Sequence, residues 1–225
     1  QTPSELRPIS LLEPCGKSVM GMCASQILPH TWQELQRWPQ FAYLPARGVD
    51  EALHRILQHC RRVRDLIDTY QFRVHMQAQG LERLHLCGGL TISLDLTKAF
   101  DMVNTCQLLE GLNQFDIPCD LIELLKAIYQ HTAFQFQHKG ESRRFDTRRG
   151  IRQGCRAAPT LWAVFSVMLL RAIAHQISFE WVLACVTLFA DDGTFHQVLE
   201  SEADFHRAIK CISIALDTIE SFNMK

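Results

Sequence analysis

Ser93-Leu94-Asp95-Leu96-Thr97-Lys98-Ala99-Phe100-Asp101 is the stretch on which the reading of this chain turns. Residues 90–96, with the β-branched Thr91 and Ile92, predict a strand, and that strand ends in a carboxylate. A carboxylate at the end of a buried strand is costly unless something cationic compensates it. Far downstream, Leu188-Phe189-Ala190-Asp191-Asp192-Gly193 repeats the design. Two such strand ends side by side make an oxygen-rich site for Mg²⁺, which is typically held by one or two carboxylates plus substrate phosphates. A pair of such ions about 3.5–4 Å apart drives in-line phosphoryl transfer.

Working outward, Arg149-Gly150-Ile151-Arg152-Gln153-Gly154-Cys155 lies between the acidic segments. It is a basic, glycine-punctuated loop that opens into an apolar helix over 159–175. Residues 132–137 and a partner ending near Thr147 predict a basic hairpin around Lys139-Gly140. Residues 182–189 read as a buried strand, Asp191-Asp192-Gly193 as a tight turn, and 194–198 as the return strand. An amphipathic helix follows over 202–222. Toward the N-terminus, 16–28 read as a helix ending near Pro29. Asp50 caps a long helix whose apolar stripe is Leu53, Ile56, Leu57, Val63 and Ile67. A helix runs from Phe100 to about Gln114, and Pro118 and Asp120 open another. Residues 71–89 are irregular. This order predicts a mixed α+β fold with an antiparallel sheet.

Composition sets broad limits. With 47% hydrophobic and 21% charged residues over 225 positions, the chain is globular. No apolar run reaches the length of a membrane span, so no membrane partner is expected. The nine cysteines are scattered without a C-x-x-C pair, which fits a reducing compartment and an intracellular location, nucleus or cytoplasm. Net charge is only −1, but Lys139, Arg143, Arg144, Arg148, Arg149, Arg152 and Arg156 cluster against Glu141 and Asp146. Such a patch can track a phosphate backbone, or form a solvated face.

For the chemistry, Asp95 and the carbonyl of Leu96 are candidate metal ligands, Asp95 bridging two ions; its bland alternative is a helix N-cap. Strand alternation sends Asp191 and Asp192 to opposite faces, so Asp191 is read as the metal ligand and Asp192 as secondary. Phe100 could lie under a nucleotide sugar and exclude a 2′ hydroxyl, or simply anchor the following helix. Gly150, Gln153 and Gly154 permit close backbone approach to a nucleotide. Arg149 and Arg152 could contact phosphates.

These blocks resemble the reverse transcriptase domain of non-LTR (LINE-type) retrotransposons. The Asp95 segment resembles that family's first palm motif, the Arg149 loop with Ala158-Pro159 the second, and Phe189-Ala190-Asp191-Asp192 the third. Arg7-Pro8-Ile9-Ser10-Leu11-Leu12 with Gly16-Lys17, and Gln40-Phe41-Ala42-Tyr43-Leu44-Pro45-Ala46-Arg47-Gly48, resemble two fingers blocks. Departures include Phe189 where tyrosine is commoner, and Ala157-Ala158-Pro159 in place of a small residue with Ser-Pro.

The resemblance implies a right-hand polymerase with fingers over 1–89, including an insertion at 71–89, and a palm over 90–225. Within the latter, 132–158 form a fingers hairpin and a template and nucleotide loop. The chain is expected to stop before a thumb. The resemblance implies an RNA-directed DNA polymerase using two Mg²⁺ (Mn²⁺ as substitute), an RNA template, a DNA primer and dNTPs. Partner regions would be an endonuclease and a thumb of a larger polyprotein. Arg7 and Lys17 fall where fingers cations meet the triphosphate, with Phe100, Gln153 and Gly154 near the nucleotide. Arg47 joins Arg149, Arg152 and Arg156 as candidate nucleic-acid contacts. Alternatives are a group II intron or retron type enzyme, and a catalytically inactive remnant or domesticated relative that binds RNA. A viral RNA-dependent RNA polymerase fits less well, because Phe100 argues against ribonucleotides.

Overall fold

The computed structural model describes residues 13–70, 78–80, 86–96, 98–131, 133–146, 149–222 and 224. In chain order its elements are α1 (Pro14–Leu35), α2 (Val49–Tyr70), β1 (Gly88–Asp95), α3 (Ala99–Met102), α4 (Thr105–Leu112), a 3-10 turn (Asn113–Phe115) and α5 (Cys119–Gln130). There follow β2 (Ala133–His138), β3 (Glu141–Asp146), α6 (Ala158–Gln176), α7 (Phe179–Cys185), β4 (Val186–Phe189), β5 (Asp192–Leu199) and α8 (Glu202–Ser221). Backbone contacts divide the chain into two compact units. The first is 1–37, 97–168 and 221–225; the second is 38–96 and 169–220.

In the first unit, α1 buries Met20, Cys23, Ile27, Thr31 and Leu35, one stripe at i+3 and i+4 spacing. The end expected near Pro29 is overridden. Pro29 sits inside the helix on the exposed side, and the stripe continues past it to Leu35. Losing one backbone hydrogen bond there is offset by burying Thr31 and Leu35, and Thr31 Oγ1 donates to the Ile27 carbonyl at 3.2 Å. The single helix expected from 100 to 114 is broken at Val103-Asn104. Asn104 caps α4 by accepting from the amides of Cys106 and Gln107.

In the second unit, β1, β5 and β4 form an antiparallel sheet in that spatial order. Ile92 stands opposite Phe195, which is 1% exposed, and Val186 flanks Phe195 on the other side. The outer edge of β4 is covered by residues 39–41: Leu188 donates to the Pro39 carbonyl at 2.8 Å, and Phe41 donates back to Leu188 at 2.9 Å. The strand expected over 182–189 starts later. Ser178 Oγ accepts from the Trp181 amide at 3.0 Å and caps α7, so 182–185 are helical.

Helix α2 packs on the sheet, and Gly89 makes the close approach possible, since a Cβ there would lie 2.3 Å from Val63 Cγ2. Its buried face is Ala52 and His59 with half-buried Arg55, Ile56 and Val63. The expected stripe is corrected: Leu53 and Leu57 are 50% and 55% exposed. Arg55 replaces them at the contact, donating to the Leu183 and Val186 carbonyls and to Thr187 Oγ1. Asp50 lies inside the first turn and does not cap it, because the helix begins at Val49.

Helix α6 is an exception to the expectation that no apolar run reaches membrane length. It is long and apolar enough on length and composition alone, but 67% of its most apolar window is buried by the rest of the chain, as in the core helix of a globular protein.

Candidate active site

The second unit brings the three aspartates to one end of its sheet. Asp95, the last residue of β1, is directly opposite Asp192, the first of β5, and both are exposed. Directly opposed residues share a face of a pleated sheet, and like charges so placed destabilise it. That repulsion makes the position a good one for a cation. Asp191 sits in the two-residue turn beside Ala190, off the ladder and half-buried. The turn needs Ala190 at φ 56, a left-handed conformation that costs a non-glycine residue about 1 kcal/mol or more. Gly193 follows where a Cβ would press on Leu188 Cδ2 at 3.1 Å. Leu96, half-buried, directly follows β1.

Two residues given no role from the sequence belong to this turn. Gln40 is fully buried; its Nε2 donates to the Ala190 carbonyl at 3.4 Å, and its Oε1 accepts from the Ala42 amide at 3.0 Å. Tyr43, at φ 63, lies within the field of Asp191: burial first, and then the Asp191 charge, push its phenol above the ordinary range. A glutamine in the middle of an apolar block is a readable signal, since a buried amide demands partners. Arg47 of the same block donates through Nη1 to the Trp38 and Gln40 carbonyls and lies 5.1 Å over the Phe41 ring. It braces the segment that carries Gln40.

Among the described residues no three His, Cys, Asp or Glu side chains converge as a complete metal cage. The carboxylates present fit a hard ion such as Mg²⁺ that draws its remaining oxygens from substrate phosphates and water.

The first unit holds the loop. Gly150 adopts φ 93 and donates to the Val103 carbonyl at 2.8 Å, and Ile151 donates to the Phe100 carbonyl at 2.7 Å. A Cβ on Gly150 would lie 2.9 Å from the Asp101 carbonyl oxygen, so only glycine closes this contact. Gln153 and Gly154 form the turn that follows, with Gly154 at φ 94. Phe100 is half-buried and stacks on Trp162, ring centroids 4.7 Å apart. Arg149 and Arg156 are exposed, and Arg156 packs on the bare backbone of Gly21 in α1. Arg152 is half-buried over the Tyr129 ring. Lys17 is exposed on α1. Arg7 and most of 71–89 lie outside the described residues.

All of the chain, residues 1–225, matches the family described as reverse transcriptase (RNA-dependent DNA polymerase). The chain belongs to the reverse transcriptase family. Its fold is similar to that of an apo telomerase from Candida tropicalis truncated from its C-terminal domain, with a TM-score of 0.56 and 15% identity. The likeness covers 91% of this chain and 37% of the telomerase chain. This reverse transcriptase family chain therefore has the expected α+β class, with the antiparallel sheet of the fingers and palm fold carrying the aspartates.

Proposed function

We propose that this chain is the polymerase core of a non-LTR (LINE-type) retrotransposon, extending a DNA primer with dNTPs on an RNA template inside the cell, as part of a longer polyprotein. The observation that carries the reading is the Asp95–Asp192 register with Asp191 in the adjoining turn. Asp95, the Leu96 carbonyl and Asp191 would hold Mg²⁺, and Asp192 would add negative charge on the face of Asp95. Two bound ions, Mg²⁺ or Mn²⁺, would supply activation of the primer hydroxyl and neutralisation of the triphosphate. Gln40 fixes the turn on which Asp191 sits. Phe100, held by Trp162, would set the floor under the incoming sugar, with Gln153 and Gly154 beside the nascent pair. Arg7 and Lys17 would meet the triphosphate, and Arg149, Arg152 and Arg156 the nucleic-acid backbone. Arg47 acts through the Gln40 segment.

The test is Mg²⁺-dependent dNTP incorporation on poly(rA)/oligo(dT) by the full natural chain, beside Asp191→Asn and Asp192→Asn. The expected result is loss of about a thousandfold or more for Asp191→Asn and a smaller loss for Asp192→Asn, since removing a preorganised charge-stabilising group costs that order of rate. A folded wild type that binds the duplex and incorporates nothing would favour the inactive, RNA-binding relative. Equal rates in all three would sink the site assignment.

A further inference from the structure

Helix α2 of the second unit has two apolar faces, and the sheet uses one of them. Ala52 and His59, with half-buried Ile56 and Val63, turn toward the sheet. Roughly 100° further round, at 3.6 residues per turn, Val49, Leu53, Leu57 and Ile67 form a second stripe. Their exposures run from 38% at Ile67 to 55% at Leu57. Cys60, also exposed, continues the stripe between Leu57 and Ile67. Among the described residues no other helix exposes as many large apolar side chains. Residues three and four apart are neighbours on a helix, so the stripe is contiguous. Scattered apolar residues on a surface are ordinary, but a contiguous strip marks a place where something binds.

The rim of the stripe says what binds. Asp50, Arg61 and Asp68, all exposed, lie about 60–80° from Leu53 on the side away from the sheet. Acids at both ends of this rim repel a phosphate backbone and an anionic membrane alike. An acid followed by a base suits the same helix running the other way. Where α2 meets α2 antiparallel, with Leu53 of each copy against Leu57 of the other, Val49 falls opposite Cys60. On the rim of that pair, Asp50 falls opposite Arg61. The two-fold symmetry makes each of these contacts twice. We propose that this face binds α2 of a second copy of the chain. The seam is Val49, Leu53, Leu57 and Cys60 from each copy, flanked by two Asp50–Arg61 ion pairs. One helix pair covers less than the roughly 1,600 Å² of a standard interface, so the dimer is weak and forms at micromolar concentration. The pairing does not depend on the polymerase reading.

The test is sedimentation velocity of the full natural chain, free of nucleic acid, across the micromolar range. The wild type should dimerise. Leu57→Asp puts an unpaired carboxylate in the seam and should abolish the dimer. Measured where the wild type is monomeric, its melting temperature should move by no more than about two degrees, because Leu57 is exposed in the single copy. Asp50→Arg and Arg61→Asp should each weaken association about tenfold, since each sets like charges face to face. Mixing the two variants should restore it, because every rim pair in the mixed dimer is again of opposite sign. Both changes in one chain should restore it as well. Asp50→Arg also removes a favourable charge from the first turn of the helix, and neither rescue would reverse that local effect. A wild type that stays monomeric throughout would overturn the proposal. Resistance of Cys60 to alkylation in that monomer would assign the face to another segment of a longer chain. A dimer that survives Leu57→Asp, or single variants rescued by neither the mixture nor the double change, would overturn it too.

Discussion

Among the described residues, two antiparallel hairpins with two-residue turns are built in opposite ways. β2–β3 turns through Lys139 and Gly140, at φ 49 and φ 87, the positive-φ pair that tight hairpins favour. Every residue of β3 is exposed. The ladder is supplemented by Gln135 Nε2 donating to Ser142 Oγ at 2.7 Å and by an exposed Arg144–Asp146 ion pair. β4–β5 has the poorer turn, with Ala190 strained and no glycine until Gly193. It has the better support: α2 on one face, β1 alongside, residues 39–41 on its edge and Gln40 on the turn itself. The good turn stands where nothing buries it, and the strained turn stands where packing over-determines it. Local strain of this kind persists only when its surroundings enforce it, and here it holds the candidate catalytic Asp191.

Three perturbations would break or sharpen this contrast. The largest is truncation of one phenylalanine in each hairpin. Phe195→Ala should cost about 3–5 kcal/mol in denaturant unfolding, as for a fully buried aromatic, whereas Phe145→Ala, 52% exposed, should stay within about 0.5 kcal/mol. Comparable costs would remove the distinction.

The second is acid. His196 lies on β5 against His59 of α2, ring centroids 5.1 Å apart. Burial, and then the positive charges of His59 and Arg55, pull its pKa from 6.5 to about 4. Burial and Arg62 lower His59 as well. The folded state therefore resists protons that the unfolded chain accepts. This contribution is complete above pH 6.5 and is lost as the pH falls toward 4. Melting temperature should drop across that window, and amide exchange should rise in β4–β5 while staying the same in β2–β3. His196→Gln should flatten the slope; an unchanged slope would mean the pair does not control the hairpin.

The smallest effect concerns Asp95 and Asp192. Asp192→Asn should stabilise the metal-free protein by about 0.2–1 kcal/mol by relieving cross-strand repulsion. Added Mg²⁺ should raise the melting temperature of the wild type more than that of the variant. A destabilised variant would mean the two carboxylates do not oppose each other.

The contrast also explains what the sequence made legible. The strand that ends in Asp95 and the turn that carries Asp191 and Asp192 were legible because period-two strands and tight turns are local properties; that Asp192, and not Asp191, stands directly opposite Asp95 is set by the register of β1 on β5 and was not. The α+β class followed from the same elements. The helix through Pro29 was not legible, because the burial of Thr31 and Leu35 that sustains it depends on tertiary packing. Residues 182–185 read as the start of a buried strand, and the Ser178 cap that makes them helical was not legible. The close approach of Gly150 to the backbone of Asp101 was hidden for a similar reason: it is a contact made across nearly fifty residues of chain.

The cover on β4 has a further consequence. A bare strand edge invites pairing with another chain, and natural sheets guard against it. Here Pro39 and Phe41 occupy that edge, while Gln40, between them, reaches the Ala190 carbonyl. Protection against aggregation and the shape of the aspartate turn are thus written into one tripeptide. A change there would be felt twice, as lost solubility and as a displaced Asp191, and selection for either property would preserve both.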